Sequence, residues 1–175
     1  MQIIDFNDLS NLVFYSKTYG KTNVQQMVNI IKEFIDESPS SNYKLVIGTD
    51  SHEKKCIDRK EAREISLVTA VVLHRKGFGG KYFWIKQKPK KINSLREKIK
   101  DETNASLLFA LSFLPHLEKT LNGQSPKLEI HLDVGNNGET RDMIGEVVGM
   151  ITGNGFEAKT KPDSYAASKV ADKHT

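Results

Sequence analysis

The chain is expected to fold as a mixed α/β sheet of five strands flanked by helices. Three observations predict this. Two short apolar runs, 44–51 (KLVIGTDS) and 128–135 (LEIHLDVG), stop at small or polar residues, the form of buried central strands. Two further runs rich in β-branched and aromatic residues, 64–74 and 81–87, are joined by a glycine-bearing connection. Apolar residues recur at helical spacing before, between and after these runs.

Taken in order, the first element is a helix over 24–35, with Val24, Met27, Val28, Ile30, Ile31, Phe34 and Ile35 at helical spacing. Thr22 or Asn23 is its cap, and Ser38-Pro39-Ser40-Ser41-Asn42 its turn-forming end. Strands at 44–50, 64–74 and 81–87 follow, and tight connections make them an antiparallel meander. The glycines of Arg75-Lys76-Gly77-Phe78-Gly79-Gly80 read as a hairpin turn, because no helix follows them to cradle a phosphate. A long helix is expected over about 94–119, capped by Asn93 or Ser94 and kinked or shortened by Pro115. Then come a strand at 127–133, a helix at 138–153 ended by Gly153, a strand at 156–161 and a helix from 163 onward. The two later strands each return through a helix and should run parallel to the first.

A chain of 175 residues is expected to form one domain, with 1–42 as an N-terminal helical extension to a 43–175 core. Hydrophobic content of 38% and charged content of 27% suit an ordinary globular protein. A net charge of +4 mildly favours a polyanionic partner. The single cysteine, Cys56, excludes a disulfide framework and a multi-cysteine zinc site. No secretory leader pattern opens the chain, and no apolar stretch approaches the roughly 20 residues that span a bilayer. The expectation is a soluble, cytoplasmic protein.

The acids carry the chemistry. Asp50 and Asp133 each end an apolar strand, where a carboxylate is costly to bury without a cation. On the long helix, Leu95, Ile99, Thr103, Ala110, Leu114 and Leu117 share one side, and Glu102 falls on it while Glu97 and Asp101 face away. Glutamate is seldom buried without a partner, which makes Glu102 a third candidate ligand. Near the end of the chain Asp163 and Asp172 both offer a fourth acid, and spacing does not choose between them. Oxygen ligands of this kind suit Mg²⁺ or Mn²⁺, and phosphoryl-transfer sites commonly hold two such ions. Each acid also has a plainer reading: turn capping for Asp50 and Asp133, a water-reaching helix margin for Glu102.

Together, IGTDSH, SLREKIKDET, IHLDVG, EVVGMITGNGF and KPDSYAASKVADKHT resemble the YkuK family of bacterial ribonuclease-H-like proteins over about residues 43–175. The resemblance implies a five-stranded ribonuclease-H-like sheet with the first and fourth strands adjacent. It implies acids at Asp50, Glu102 and Asp133, and it favours Asp172 over Asp163 as the fourth. The function it implies is metal-dependent hydrolysis of phosphodiester bonds in RNA, DNA or a hybrid, with two Mg²⁺ or Mn²⁺ ions. The alternative is a nucleic-acid-binding module that keeps the fold without turnover.

Lys81, Lys86, Lys88, Lys90, Lys91, Arg96, Lys98 and Lys100 concentrate charge between the third strand and the long helix, with Tyr82, Phe83 and Trp84 among them. Lys86, Lys88, Lys90 and Lys91 are the candidate nucleic-acid contacts. The plain alternative is a solvated hairpin edge, and Trp84 reads as core rather than as a stacking platform. His52 and His131 read as satisfied or exposed histidines, with orienting a water or a phosphate as the alternative. Asn136, Asn137 and Gly138 read as the turn and cap of the next helix, whose start could offer N–H groups to a phosphate. No GxSxG elbow, HExxH pair, Walker loop or Cys–His dyad is present.

Overall fold

A reciprocal cap opens the first helix, as the sequence requires. The Asn23 side chain accepts the Gln26 N–H at 2.9 Å, and the Gln26 side chain accepts the Asn23 N–H at 2.9 Å, which satisfies two donors at the helix start. This helix, α1 (Val24–Asp36), buries Val24, Met27, Val28, Ile31 and Phe34. The computed structural model describes residues 6, 8–54, 63–123, 125–135, 140–164 and 166–174. Cys56 and the Asn136, Asn137 and Gly138 turn lie outside the described residues.

Ahead of α1 stand two short strands, β1 (Phe14–Ser16) and β2 (Gly20–Thr22). After it come β3 (Tyr43–Lys54), β4 (Arg63–Arg75) and β5 (Gly80–Lys86), an antiparallel meander. The β4–β5 connection is a plain turn, closed by Arg75 N–H donating to the Gly79 carbonyl at 2.8 Å. Gly77 and Gly79 take positive φ of 84° and 80° there, which side chains disfavour. A three-residue strand, β6 (Lys90–Ile92), pairs with the start of β4.

The long helix α2 (Leu95–Leu121) starts at Ser94, whose side chain accepts the Glu97 N–H at 3.1 Å. Pro115 lies within it and does not shorten it. The proline sits on the exposed side, where water can take the carbonyl it leaves without a donor. Then follow β7 (Leu128–His131), a 3₁₀ turn (Arg141–Met143), α3 (Ile144–Thr152), β8 (Glu157–Lys159) and α4 (Ala166–Asp172).

The sheet runs β2-β1-β5-β4-β3-β7-β8, with β6 set against β4. Its central five strands are those the sequence predicts: β7 is parallel to β3, and β8 to β7. Strands β1, β2 and β6 were not expected. Each has three residues, too short for an alternating pattern to register, and β6 lies beside Pro89 in a lysine-rich stretch with no apolar run. The last helix begins at Ala166, not at 163, because Asp163 turns back to donate its N–H to the Thr160 carbonyl at 2.8 Å. Among the described residues no helix is long and apolar enough to cross a membrane.

The two sheet faces are unequal. Helices α1, α2 and α3 cover one face with a large core in which the Phe109 ring meets Phe6, Phe14 and Phe113 at 5.3, 5.7 and 5.3 Å. The short α4 covers part of the other, where Val68, Ala70 and Ala171 form a small cluster. Phe109→Ala should cost about 3–5 kcal/mol of stability, since a fully buried ring leaves a cavity. Leu111→Ala, two residues along on the exposed side, should change stability by less than about 0.5 kcal/mol. Urea unfolding of both variants beside the parent measures the contrast; equal losses would contradict this account of the core.

Candidate functional site

The site follows from where β7 ends. Its last pairing is Gly48↔His131, whereas β3 continues to Lys54 with β4 alone as neighbour. This leaves a notch at the edge of β3, and Asp50 and Asp133 lie on its two sides. A cleft of about 460 Å³ is lined there by Asp50, Asp133, Lys161, Pro162, Ser164, Lys169 and Asp172. An adjoining one of about 770 Å³ shares Asp133, Lys161 and Pro162 and adds Lys98, Ile99, Glu102, Gly135 and Thr140. The four acids of the sequence reading therefore border one continuous depression, and they come from β3, α2, the end of β7 and α4. Asp163 is exposed and borders neither part.

Glu102 borders the notch from the opposite sheet face, where β3 meets it through Ser51. It is 8% exposed, and its Oε1 accepts a hydrogen bond from Ser51 Oγ at 2.7 Å. The helix bearing it is stitched to the sheet by buried hydroxyls: Ser106 Oγ lies 2.9 Å from Thr49 Oγ1, which lies 2.9 Å from Thr69 Oγ1. Burial pushes the Glu102 carboxyl up to about 7, against the nearby Lys98 charge and the Ser51 bond, and the Asp50 charge adds to the rise. Asp50 is also raised, by burial first, with its Ser51 N–H bond and Lys98 opposing and Asp133 and Asp172 adding. Asp50 is thus the acid common to the group: Asp133 and Asp172 act on it, and it acts on Glu102.

Two ammonium groups offset this charge. Lys161 Nζ lies 2.8 Å from Asp133 Oδ1, and Lys98 Nζ lies 3.4 Å from Glu102 Oε1. The Lys161 stem crosses close to Gly135, where a Cβ would come within 3.2 Å of Lys161 Cβ. With the side chains so held, no group of three or more His, Cys, Asp or Glu among the described residues closes around a single ion position. The donor set itself suits a hard divalent cation, since it is all carboxylate and already draws cations.

Beside the notch, β7 carries a buried polar pair that the sequence reading had treated only as a satisfied histidine. Glu129 and His131 are 5% and 3% exposed, with His131 Nε2 3.3 Å from Glu129 Oε2 and Lys44 Nζ 2.9 Å from Glu129 Oε1. Burial would raise Glu129, but Lys44 and His131 more than offset it and hold its pKa low. The signal was present in the alternation Glu129, His131, Asp133 within an apolar strand. His52 is exposed.

The candidate nucleic-acid lysines lie elsewhere. Lys86, Lys88, Lys90 and Lys91 line neither part of the cleft. Lys90 is bound to Asp101 at 2.5 Å, which corrects the expectation that Asp101 faces solvent. Arg96 and Lys100 both pair with Glu146, at 2.5 and 2.6 Å. Of the cleft's own cations, Lys98 was legible as the residue four before Glu102, a favourable helical pair. Lys161 and Lys169 gave no such signal.

The ribonuclease H-like family profile matches residues 26–175. The chain belongs to the ribonuclease H-like family. It is 36% identical to the uncharacterized protein YkuK of Bacillus subtilis (strain 168), over 94% of this chain and 98% of that relative. No solved structure gives a significant match. The resemblance read from the sequence motifs, and the mixed sheet it implied, are thus shown.

The raised Glu102 carboxyl makes stability depend on pH. Its pKa is about 7 when folded against an ordinary 4.5, so the folded protein keeps a proton that the unfolded chain releases between those values. The contribution is complete below the ordinary value and is lost as pH rises through about 7. In EDTA, Glu102→Gln should therefore stabilise the protein at pH 8 by up to about 3 kcal/mol and change little at pH 5. Urea midpoints at the two pH values measure this; a difference independent of pH would contradict the burial account.

Proposed function

We propose that the chain is a divalent-metal-dependent nuclease that hydrolyses phosphodiester bonds in RNA, DNA or a hybrid. One observation carries this reading: four carboxylates from four separate elements surround one cleft at the open edge of β3, and Asp50 and Glu102 are raised there by burial. Fold alone would not suffice, because one fold hosts many activities.

In this proposal Asp50, Glu102, Asp133 and Asp172 hold two Mg²⁺ or Mn²⁺ ions. Such ions, when bound, supply activation of a water and neutralisation of charge at the leaving oxygen. The chain's own residues do the rest. Ser51 orients Glu102 through its 2.7 Å hydrogen bond, and the Thr49–Ser106 contact fixes the helix that carries it. Lys161 and Lys98 lie against Asp133 and Glu102 and, once cations occupy the acids, face the substrate phosphate across the same cleft. The working compartment on this reading is the cytoplasm.

A second reading is a nucleic-acid-binding module without turnover. The observation that favours it is that Lys161 and Lys98 already occupy Asp133 and Glu102, with no closed three-acid group among the described residues. Labelled RNA, DNA and hybrid substrates with Mn²⁺ decide between them. The nuclease should cleave at least one substrate, and Asp50→Asn and Asp133→Asn should each slow it at least about a hundredfold, as loss of several kcal/mol of transition-state stabilisation implies. Substrate binding that survives both substitutions, with no cleavage in any divalent metal, would establish the binding module instead.

A further inference from the structure

The single tryptophan stands on the same sheet face as Asp50. In the ladders, Asp50 pairs with Val68 and Val68 with Lys86, forming one row across three strands. The next row is Gly48, Ala70, Trp84 and Tyr15, and the one after is Val46, Val72 and Tyr82. Residues directly opposite in a ladder point to the same face, so Asp50, Lys86, Trp84, Tyr15 and Tyr82 share the side on which α4 lies. With strands about 4.8 Å apart and a rise of about 3.4 Å per residue, Trp84 stands roughly 12 Å from Asp50.

The aromatic rings form an array. Tyr15 and Tyr82 flank the indole at centroid distances of 6.0 and 5.8 Å and are tilted by 30° and 27°. The imidazole of His174 lies flat on it, 3.6 Å away and 5° from parallel. That is the geometry of a planar heterocycle stacked on an aromatic side chain. The indole is also braced by the small cluster of Val68, Ala70 and Ala171.

Positive charge surrounds the array. Lys86 lies two residues from Trp84 on the same face, Lys17 directly follows β1, which carries Tyr15, and Lys173 directly precedes His174. Lys17, Lys86 and Lys173 are all exposed. A backbone polyanion with flat bases matches this combination of rings and cations. A base inside a duplex has both faces covered by its neighbours, so an unpaired base is the fitting occupant.

We propose that Trp84, Tyr15 and Tyr82 form a stacking subsite for an unpaired base of single-stranded nucleic acid. The base takes the place of His174 on the indole, and Lys17, Lys86 and Lys173 take the adjoining phosphates. This rests on the reading above that the substrate is nucleic acid, and it deepens that reading by naming a single strand that passes from Trp84 toward Asp50. Asp172 lies two residues before His174, so entry of a base and the setting of the fourth acid are mechanically joined.

Trp84 emission reports this site alone, because the chain has one tryptophan. A short oligothymidylate and a duplex of equal length are titrated in EDTA at low salt, with anisotropy of the labelled strand read in parallel. The single strand should quench Trp84 and the duplex should not. His174→Ala should bind the single strand about three- to tenfold tighter, because the competing ring is gone, and Tyr15→Ala about tenfold weaker. Tyr15 is exposed and His174 half-buried, and melting temperatures near that of the parent confirm folding. Three results would overturn the subsite: anisotropy that reports binding while emission stays unchanged, quenching by the duplex as strong as by the single strand, or His174→Ala that binds no tighter. Metal-dependent cleavage without single-strand binding at Trp84 would overturn the subsite and leave the nuclease standing. Quenching without cleavage in any metal would do the reverse.

Discussion

The parallel pairing of β7 with β3, and its early end, is the constraint on which the rest depends. Strand β7 joins β3 over Leu45↔Leu128 to Gly48↔His131 and then parts from it, staying bonded on its β8 side through Leu132 N–H to the Lys159 carbonyl and Lys161 N–H to the Val134 carbonyl. Had the pairing continued in register, Asp133 would lie opposite Asp50 in the ladder. Ending where it does, it opens the β3 edge. Acids from one face (Asp50, Asp172) and from the other (Glu102) then border the same solvent-filled notch. A long crossover through α2 makes this pairing possible, as a parallel connection requires, and the same helix delivers Glu102.

Burial and charge oppose each other at this notch. Removing carboxylates from water raises their pKa, and neighbouring acids raise it further. Lys98 and Lys161 relieve the penalty without burying themselves fully, their side chains being 24% and 57% exposed. In the proposed function a phosphodiester, itself an anion, is repelled by the acids until their charge is neutralised, so cation binding and anion binding at this place favour each other.

What the sequence disclosed follows from what periodicity records. Helical phase separates buried from exposed positions, so Glu102 stood out on α2, and strand ends separate core from loop, so Asp50 and Asp133 stood out as well. Both arguments concern burial of a residue by its own element. Contacts between distant elements leave no such trace. Lys161 on Asp133, Lys90 on Asp101 and His174 on Trp84 each join segments far apart in the chain, and none was read from spacing. Strands β1, β2 and β6 were missed for a related reason: three residues carry too little alternation, and their pairing is decided by partners elsewhere, β5 for β1, β1 for β2 and β4 for β6.

The unequal faces of the sheet give the fourth acid a different standing from the first three. Asp50, Glu102 and Asp133 are attached to elements locked into the large core, through Ile47, Ile99 and Leu132. Asp172 sits on α4, which packs against β3, β4 and β7, with Ala171 on Val68 and Ala70 and, beyond the helix, His174 on Trp84. Its place therefore depends on how that short helix seats on the sheet face opposite the large core. In the proposed function the first three ligands are thus set by packing of the core, and the fourth by packing of α4 on the other face.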